Sequence, residues 1–203
     1  MAELECFFDC SSPWTYFAFE SLLQMQDEIG VTIKWRPFLV GGVFNAVNPS
    51  VYNSRDKPVP AKSAYSKKDQ QDWARYLGLP IQYRPSVFPV NSVKAMRACI
   101  VLEAEDNLVR FAREAFKAYW IDDQDISQLP VLSGICDKLG IDSAKLFAAI
   151  EQQPVKDTLR ANTQEAIDRG SFGSPTIFVG GDDMYFGNDR MPLIKDAVLR
   201  RRQ

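Results

Sequence analysis

The feature that most limits how this chain can fold is a strand, a tight turn and a helix entered through Ser12-Pro13, with a second strand close behind. Leu4, Cys6 and Phe8 alternate with Glu3, Glu5 and Phe7, the period-2 pattern of a half-buried strand ending at Asp9. Ser12 is a favoured N-cap, and Pro13 suits the first helical position, where its missing N–H has no partner to lose. Trp14, Phe17, Ala18, Leu22 and Met25 then recur at helical spacing until Gly30 stops the helix. Val31, Ile33 and Trp35 form a second strand closed by Pro37. Short links within a β-α-β unit predict parallel strands. A helix starting beyond a strand end presents free N–H groups and a positive dipole end, a setting that suits a thiolate, carboxylate or phosphate. Capping alone is nevertheless enough to account for Ser12.

Beyond Pro37, residues 38 to about 60 carry few periodic cues and contain Gly41-Gly42, Asn48-Pro49, Pro58 and Pro60; they are expected to form a long loop. Helices follow over Ala61 to Leu77, Asn91 to Glu103, Leu108 to Ile121 and Val131 to Leu139. Asp142 then caps Ser143 to Gln152, and Pro154 opens a longer helix to Arg169. Thr176 to Val179 and Met184 to Phe186 flank Gly180-Gly181-Asp182-Asp183 as a hairpin, and Asn188 or Asp189 caps a last helix. The order is β-α-β, a helical block, then α-β-β-α.

The chain of 203 residues contains no histidine, which removes Ser-His-Asp and Cys-His nucleophile activation and every histidine-containing metal site. No metal site is expected. Cys6, Cys10, Cys99 and Cys136 are too scattered for a disulfide framework and form no C-x-x-C. A net charge of −2 with interspersed signs gives no basic footprint for nucleic acid. No apolar run is long enough to span a bilayer, and the N-terminus lacks the basic start of a signal peptide, so a cytoplasmic location is expected.

Two groups of residues carry a family resemblance. They are Phe8-Asp9-x-x-Ser12-Pro13-x-x-Tyr16 near the start and Phe172-Gly173-Ser174-Pro175-Thr176 near the end, with Asn53, Pro58, Pro60, Lys62 and Tyr65 between, and Phe186-Gly187-Asn188-Asp189-Arg190 after. With them the chain resembles the thioredoxin-like family of bacterial disulfide-forming oxidoreductases and kappa-class glutathione transferases, and within it the 2-hydroxychromene-2-carboxylate isomerases. The resemblance implies an α/β, thioredoxin-like fold with a large all-helical insertion: residues 1–37 and 154–203 form the thioredoxin-like domain, and 38–153 the loop plus helical insertion. It also implies a cis bond at Ser174-Pro175. Where the redox relatives carry C-P-x-C, this chain has Ser12-Pro13-Trp14-Thr15, so disulfide exchange lacks its thiolate.

The resemblance implies glutathione as cofactor, a small aromatic carboxylate as substrate and a homodimer. Position by position, Ser12 faces the glutathione sulfur, and Ser174 with Pro175 pairs its peptide. Asn188 and Asp189 hold its γ-glutamyl end, while Asn53 and Lys62 approach from the loop and the following helix. Arg84 and Arg97 are candidates for a substrate carboxylate. The implied reaction is isomerisation between 2-hydroxychromene-2-carboxylate and trans-o-hydroxybenzylidenepyruvate by reversible thiolate addition. The alternatives are a kappa-like transferase and a non-catalytic thioredoxin-fold binding protein.

Overall fold

The computed structural model describes residues 4–203; Glu3 of the expected first strand lies outside them. Strand β1 is Leu4–Phe8, helix α1 Pro13–Ile29 and strand β2 Ile33–Pro37. Eight helices follow: α2 (Val40–Val47), α3 (Ser50–Asp56), α4 (Pro60–Leu77), α5 (Val93–Glu103), α6 (Leu108–Trp120), α7 (Leu129–Leu139), α8 (Ser143–Ile150) and α9 (Gln153–Asp168). The chain closes with β3 (Thr176–Val179), β4 (Asp183–Phe186), a 3-10 turn at Asn188–Arg190 and α10 (Met191–Arg200). The sheet order is β2-β1-β3-β4. β1 runs parallel to β2, with Cys6 opposite Trp35, and antiparallel to β3, with Cys6 opposite Ile177.

β1 is central, and it is buried on both faces rather than half-buried. Leu4, Cys6 and Phe8 join the main core with Phe17, Phe19 and Trp35. Phe7 points to the opposite face, where Phe38, Val43, Ala166 and Phe178 enclose it. Helices α1 and α10 cover the first face through residues such as Leu22 and Ile194, and α2 and α9 cover the second. A strand clad on both sides gains apolar burial at consecutive residues, and each fully buried Phe contributes about 1.5–3 kcal/mol. Glu5 of β1 bonds Arg36 of β2 at 2.9 Å and Arg169, the C-cap of α9, at 3.3 Å, fastening the end of α9 beside β1 and β2.

The expectation of a long loop over 38 to 60 is corrected: α2 and α3 occupy it. The Gly41-Gly42 pair lies inside α2, and a Cβ on Gly42 would stand 2.9 Å from the Thr163 methyl of α9. That glycine permits close helix packing rather than a turn. The second correction concerns the last helix, because a 3-10 turn intervenes and neither Asn188 nor Asp189 makes a capping hydrogen bond.

Helix α6 is tied to the β1–α1 turn by a buried donor. Trp120, on the last turn of α6, donates its indole N–H to the Cys10 carbonyl at 2.9 Å. Trp120→Phe keeps most of the ring volume but leaves that carbonyl buried and unpaired, so urea denaturation should show a loss of about 1–3 kcal/mol with an unchanged m-value. A loss below about 0.5 kcal/mol would mean that the turn does not depend on this bond.

Candidate functional site

Ser12 sits where three structural elements meet. Its backbone is extended, as an N-cap requires, and its Oγ accepts the Thr15 N–H at 3.3 Å. The same hydroxyl donates to the Ser174 carbonyl at 3.0 Å. Thr15, one turn into α1, shares a 2.7 Å hydrogen bond with the Ser174 hydroxyl. The Ser174–Pro175 peptide is cis. Its approach is held by Thr176, whose hydroxyl donates to the Gly173 carbonyl at 2.8 Å, and by the Asn48 amide, which donates to the Phe172 carbonyl at 3.0 Å. Gly173 lets the Phe186 ring approach closely: a Cβ there would stand 2.7 Å from it, and the ring would have to shift.

Asp9 organises the other side of the turn. Its two carboxylate oxygens accept the N–H groups of Ser11 and Val40, each at 2.9 Å, joining the β1–α1 turn to the start of α2. The bond from Ser11, two residues on, is the Asx pattern that makes Asp effective in turns. Asp9 is 1% exposed, and burial pushes its carboxyl above the usual range against the pull of these donors and of Ser92. The sequence motif contains Asp9 but gives no hint of this double role; the Asp9-to-Ser11 spacing is the only local signal.

A cavity of about 610 Å³ opens over this centre, lined by Ser12, Ser174, Trp14, Phe44, Phe172 and Arg55 among others. A larger one of about 910 Å³ adjoins it, with Ser54, Arg55, Ser66, Gln70 and Phe88 common to both linings. Asn53 and Lys62 line the larger cavity together with Arg84. The structure therefore brings Ser12 and Ser174 into one cavity, and Asn53, Lys62 and Arg84 into its neighbour. Pro175, Asn188 and Asp189 line neither. Asn188 is 6% exposed on the turn that packs against α1, and its Nδ2 has no hydrogen-bond partner among the described residues. Asp189 pairs with Arg190 at 2.9 Å. Arg97 lines neither cavity and pairs with Glu151 at 3.4 Å.

No thiol of the chain can serve as a nucleophile here. Cys6, Cys10, Cys99 and Cys136 are all free and buried. Burial pushes each of their pKa values up, that of Cys136 to about 11 and the other three well beyond the ordinary thiol range. The centre offers instead two hydroxyls, a helix N-terminus and a backbone segment before a cis proline. That combination suits an anion or a peptide-like ligand; it cannot itself supply a thiolate.

The chain is similar to known proteins over nearly its whole length. The DSBA-like thioredoxin domain family matches residues 3–199 of the chain. A 2-hydroxychromene-2-carboxylate isomerase of Pseudomonas putida is 30% identical over 97% of this chain and 94% of its own length. The human glutathione S-transferase kappa 1 is 28% identical over 94% of this chain and 88% of its own. Among solved structures, a 2-hydroxychromene-2-carboxylate isomerase superposes with a TM-score of 0.83 at 25% identity, covering 98% of this chain and 95% of that one.

Asp9 gives the site a pH signature. A carboxyl whose folded pKa lies above its unfolded value, about 3.9, holds more protons when folded. Its contribution to stability is thus greatest below that unfolded value and declines as pH rises through the folded one. Asp9→Asn removes this titration and one acceptor. Chemical denaturation from pH 3.5 to pH 7 should show the stability of wild type relative to the variant falling with pH; a pH-independent difference would contradict the direction assigned to Asp9.

Proposed function

We propose, for a chain that belongs to the DSBA-like thioredoxin domain family and within it to the branch of 2-hydroxychromene-2-carboxylate isomerases and kappa-class glutathione transferases, a glutathione-dependent isomerase. Its reaction interconverts 2-hydroxychromene-2-carboxylate and trans-o-hydroxybenzylidenepyruvate. The observation that carries this reading is the pair of hydroxyls, Ser12 and Thr15, at the positions where redox relatives carry cysteines, in a chain whose own thiols are all buried. The nucleophile must then arrive with a ligand. The cleft fits a thiol peptide, because a backbone carbonyl before a cis proline and a helix N-terminus face one cavity.

Bound there, glutathione supplies the thiolate that adds reversibly to the conjugated alkene and so permits rotation about it. The chain's own residues bind and orient. The Ser174 backbone pairs with a peptide group as an added strand does, with Pro175 fixing its direction. Asn188 and Asp189, which line neither cavity, are given the γ-glutamyl end by the resemblance. Asn53 and Lys62 reach in from α3 and α4 beside the larger cavity. Ser12 has one proton to donate. With no ligand bound the Ser174 carbonyl takes it; a ligand N–H on that carbonyl keeps it paired, so that the Ser12 hydroxyl can turn to the sulfur without leaving a carbonyl unsatisfied. The reading includes a cytoplasmic location, where thiols are kept reduced, and a homodimer, as the resemblance implies.

A kappa-like transferase is the second reading, favoured by the similarity to the human enzyme over nearly the whole chain. Mass balance separates the two: the isomerase returns all glutathione after many turnovers, and the transferase consumes one equivalent per product.

The test centres on Ser12. If it is only a cap, Ser12→Ala costs about 0.5–2 kcal/mol of stability and leaves turnover of the folded protein near normal. If its hydroxyl stabilises the bound thiolate, thiolate absorbance against pH shows the bound thiol's pKa raised by about one unit or more in Ser12→Ala, a change of roughly 1.4 kcal/mol. Turnover lost at neutral pH then partly returns as pH increases. Ser11→Ala serves as the control and should titrate as wild type does. Superimposable titrations of wild type and Ser12→Ala would reduce Ser12 to its cap.

A further inference from the structure

Arg55 is the one cationic side chain among the described residues that line the Ser12 cavity, and it also lines the larger cavity beside it. It has no salt bridge and no hydrogen bond to any described residue. What holds it is aromatic: its guanidinium carbon lies 5.7 Å from the Phe44 ring centroid, 5.9 Å from that of Tyr52 and 5.5 Å from that of Phe88. A guanidinium held near aromatic rings rather than by carboxylates keeps its N–H donors for a planar anion, which it can bind through two parallel bonds.

The surroundings call for such an anion. Arg84 stands over the same Phe88 ring, also at 5.5 Å and also without a carboxylate partner among the described residues. Lys57, Lys62 and Arg84 line the larger cavity with Arg55, against Asp56 alone. Like charges gathered without counter-charge repel, and an anionic ligand relieves that repulsion. A second, independent feature lies at the same junction. Gln70 of α4 lines both cavities and is 8% exposed, and its Oε1 is buried with no hydrogen-bond partner. An unpaired buried acceptor is costly, and a ligand hydroxyl satisfies it.

We propose that the junction of the two cavities is the subsite for the second substrate, with Arg55 binding its carboxylate and Gln70 accepting a hydrogen bond from a hydroxyl on the same molecule. The ligand class is an aromatic or conjugated carboxylate bearing a hydroxyl, seated with its flat body against Phe44 and Phe88 and its reactive end toward Ser12. Arg84, which lines the larger cavity but not the Ser12 cavity, strengthens the field without reaching the reacting end. Arg97, absent from both linings, has no part in it. This assignment rests on the reading of the Ser12 cleft as a thiol-peptide site, and the experiment separates the two.

The probes are trans-2-hydroxycinnamate, its methyl ester and trans-cinnamate, with binding followed by calorimetry and by tryptophan fluorescence. Wild type should bind the hydroxy acid at least tenfold more tightly than its ester. Arg55→Met, which keeps an unbranched side chain on the rings, should bring that ratio close to one, and Arg55→Lys should retain part of it. Gln70→Leu should leave the acid-over-ester preference and remove most of the preference for 2-hydroxycinnamate over cinnamate. No binding of the acid to wild type, an equal affinity for acid and ester, or a preference that survives in Arg55→Met overturns the subsite. The wild-type comparison decides even if Arg55→Met fails to fold. Glutathione binding is measured on the same proteins. If glutathione binds while the acid preference survives in Arg55→Met, the subsite falls and the cleft reading stands. If glutathione does not bind while Arg55→Met abolishes the preference, the cleft reading falls and the subsite stands.

Discussion

The Ser12 hydroxyl makes two bonds that join the ends of the chain. It accepts the Thr15 N–H, which starts α1, and it donates to the Ser174 carbonyl, 162 residues away. The β1–α1 turn and the segment before β3 are thereby fixed to each other at the end of the sheet. Everything around the site is arranged on that junction. Asp9 draws α2 in through the Val40 N–H, Trp120 brings α6 to the Cys10 carbonyl, and Asn48 holds the Phe172 carbonyl from the end of α2. Each of these partners is a backbone group of the β1–α1 turn, of the start of α2, or of the segment before β3, so the helical block is positioned by polar bonds to the main chain as well as by apolar packing. Loss of the Val40 or Trp120 bond leaves a buried group with its full desolvation cost, and this keeps the cavity walls in register.

How far the fold could be read from the sequence follows from the range over which each signal acts. Ser12-Pro13, Gly30, Asp142 and the Gly180-Gly181 hairpin are local devices, and each acts within a few residues of where the sequence places it. The segment from 38 to 60 was not legible for the opposite reason. Gly42 reads as a loop former, yet its lack of a side chain serves Thr163 on α9, a contact invisible to any local window. α3 buries no residue at all and is held by Tyr52 bonding Asn45 and by Arg55 on its aromatic neighbours. Phe7 likewise breaks the alternation of β1, because α2 and α9 clad the face that a half-buried strand would leave to water. Of the site, Ser12 and Ser174 were legible as paired motifs. Asp9, Arg55 and Gln70 were not, since their meaning depends on what stands across the cavity.

Charge is distributed unevenly around this centre, and the unevenness has a use. The turn below Ser12 carries the Asp9 carboxylate, buried and saturated with donors, whereas the free cations gather on α3, α4 and the segment before α5. On the proposed reading, a ligand with anionic groups at both ends would lie across the two cavities, toward donors at one side and guanidinium groups at the other, with the aromatic wall between them.

The magnitudes decide whether such a site can generate a thiolate without a base. A thiol of pKa about 8.5 must be lowered by roughly two units to be mostly ionised at neutral pH, a differential stabilisation of about 2.7 kcal/mol. One hydrogen bond to a charged acceptor contributes about 1.5–3 kcal/mol, and the helix N-terminus about 0.3–1 more. Against this stands the bond from Ser12 to Ser174, worth about 0.5–1.5 kcal/mol, which the hydroxyl must give up to reach the sulfur. Left uncompensated, that loss removes much of the gain. A ligand whose own peptide N–H takes over the Ser174 carbonyl cancels it. The cost therefore selects for a peptide-borne thiol over a simple one, because only the former frees the serine by the same contact that positions it.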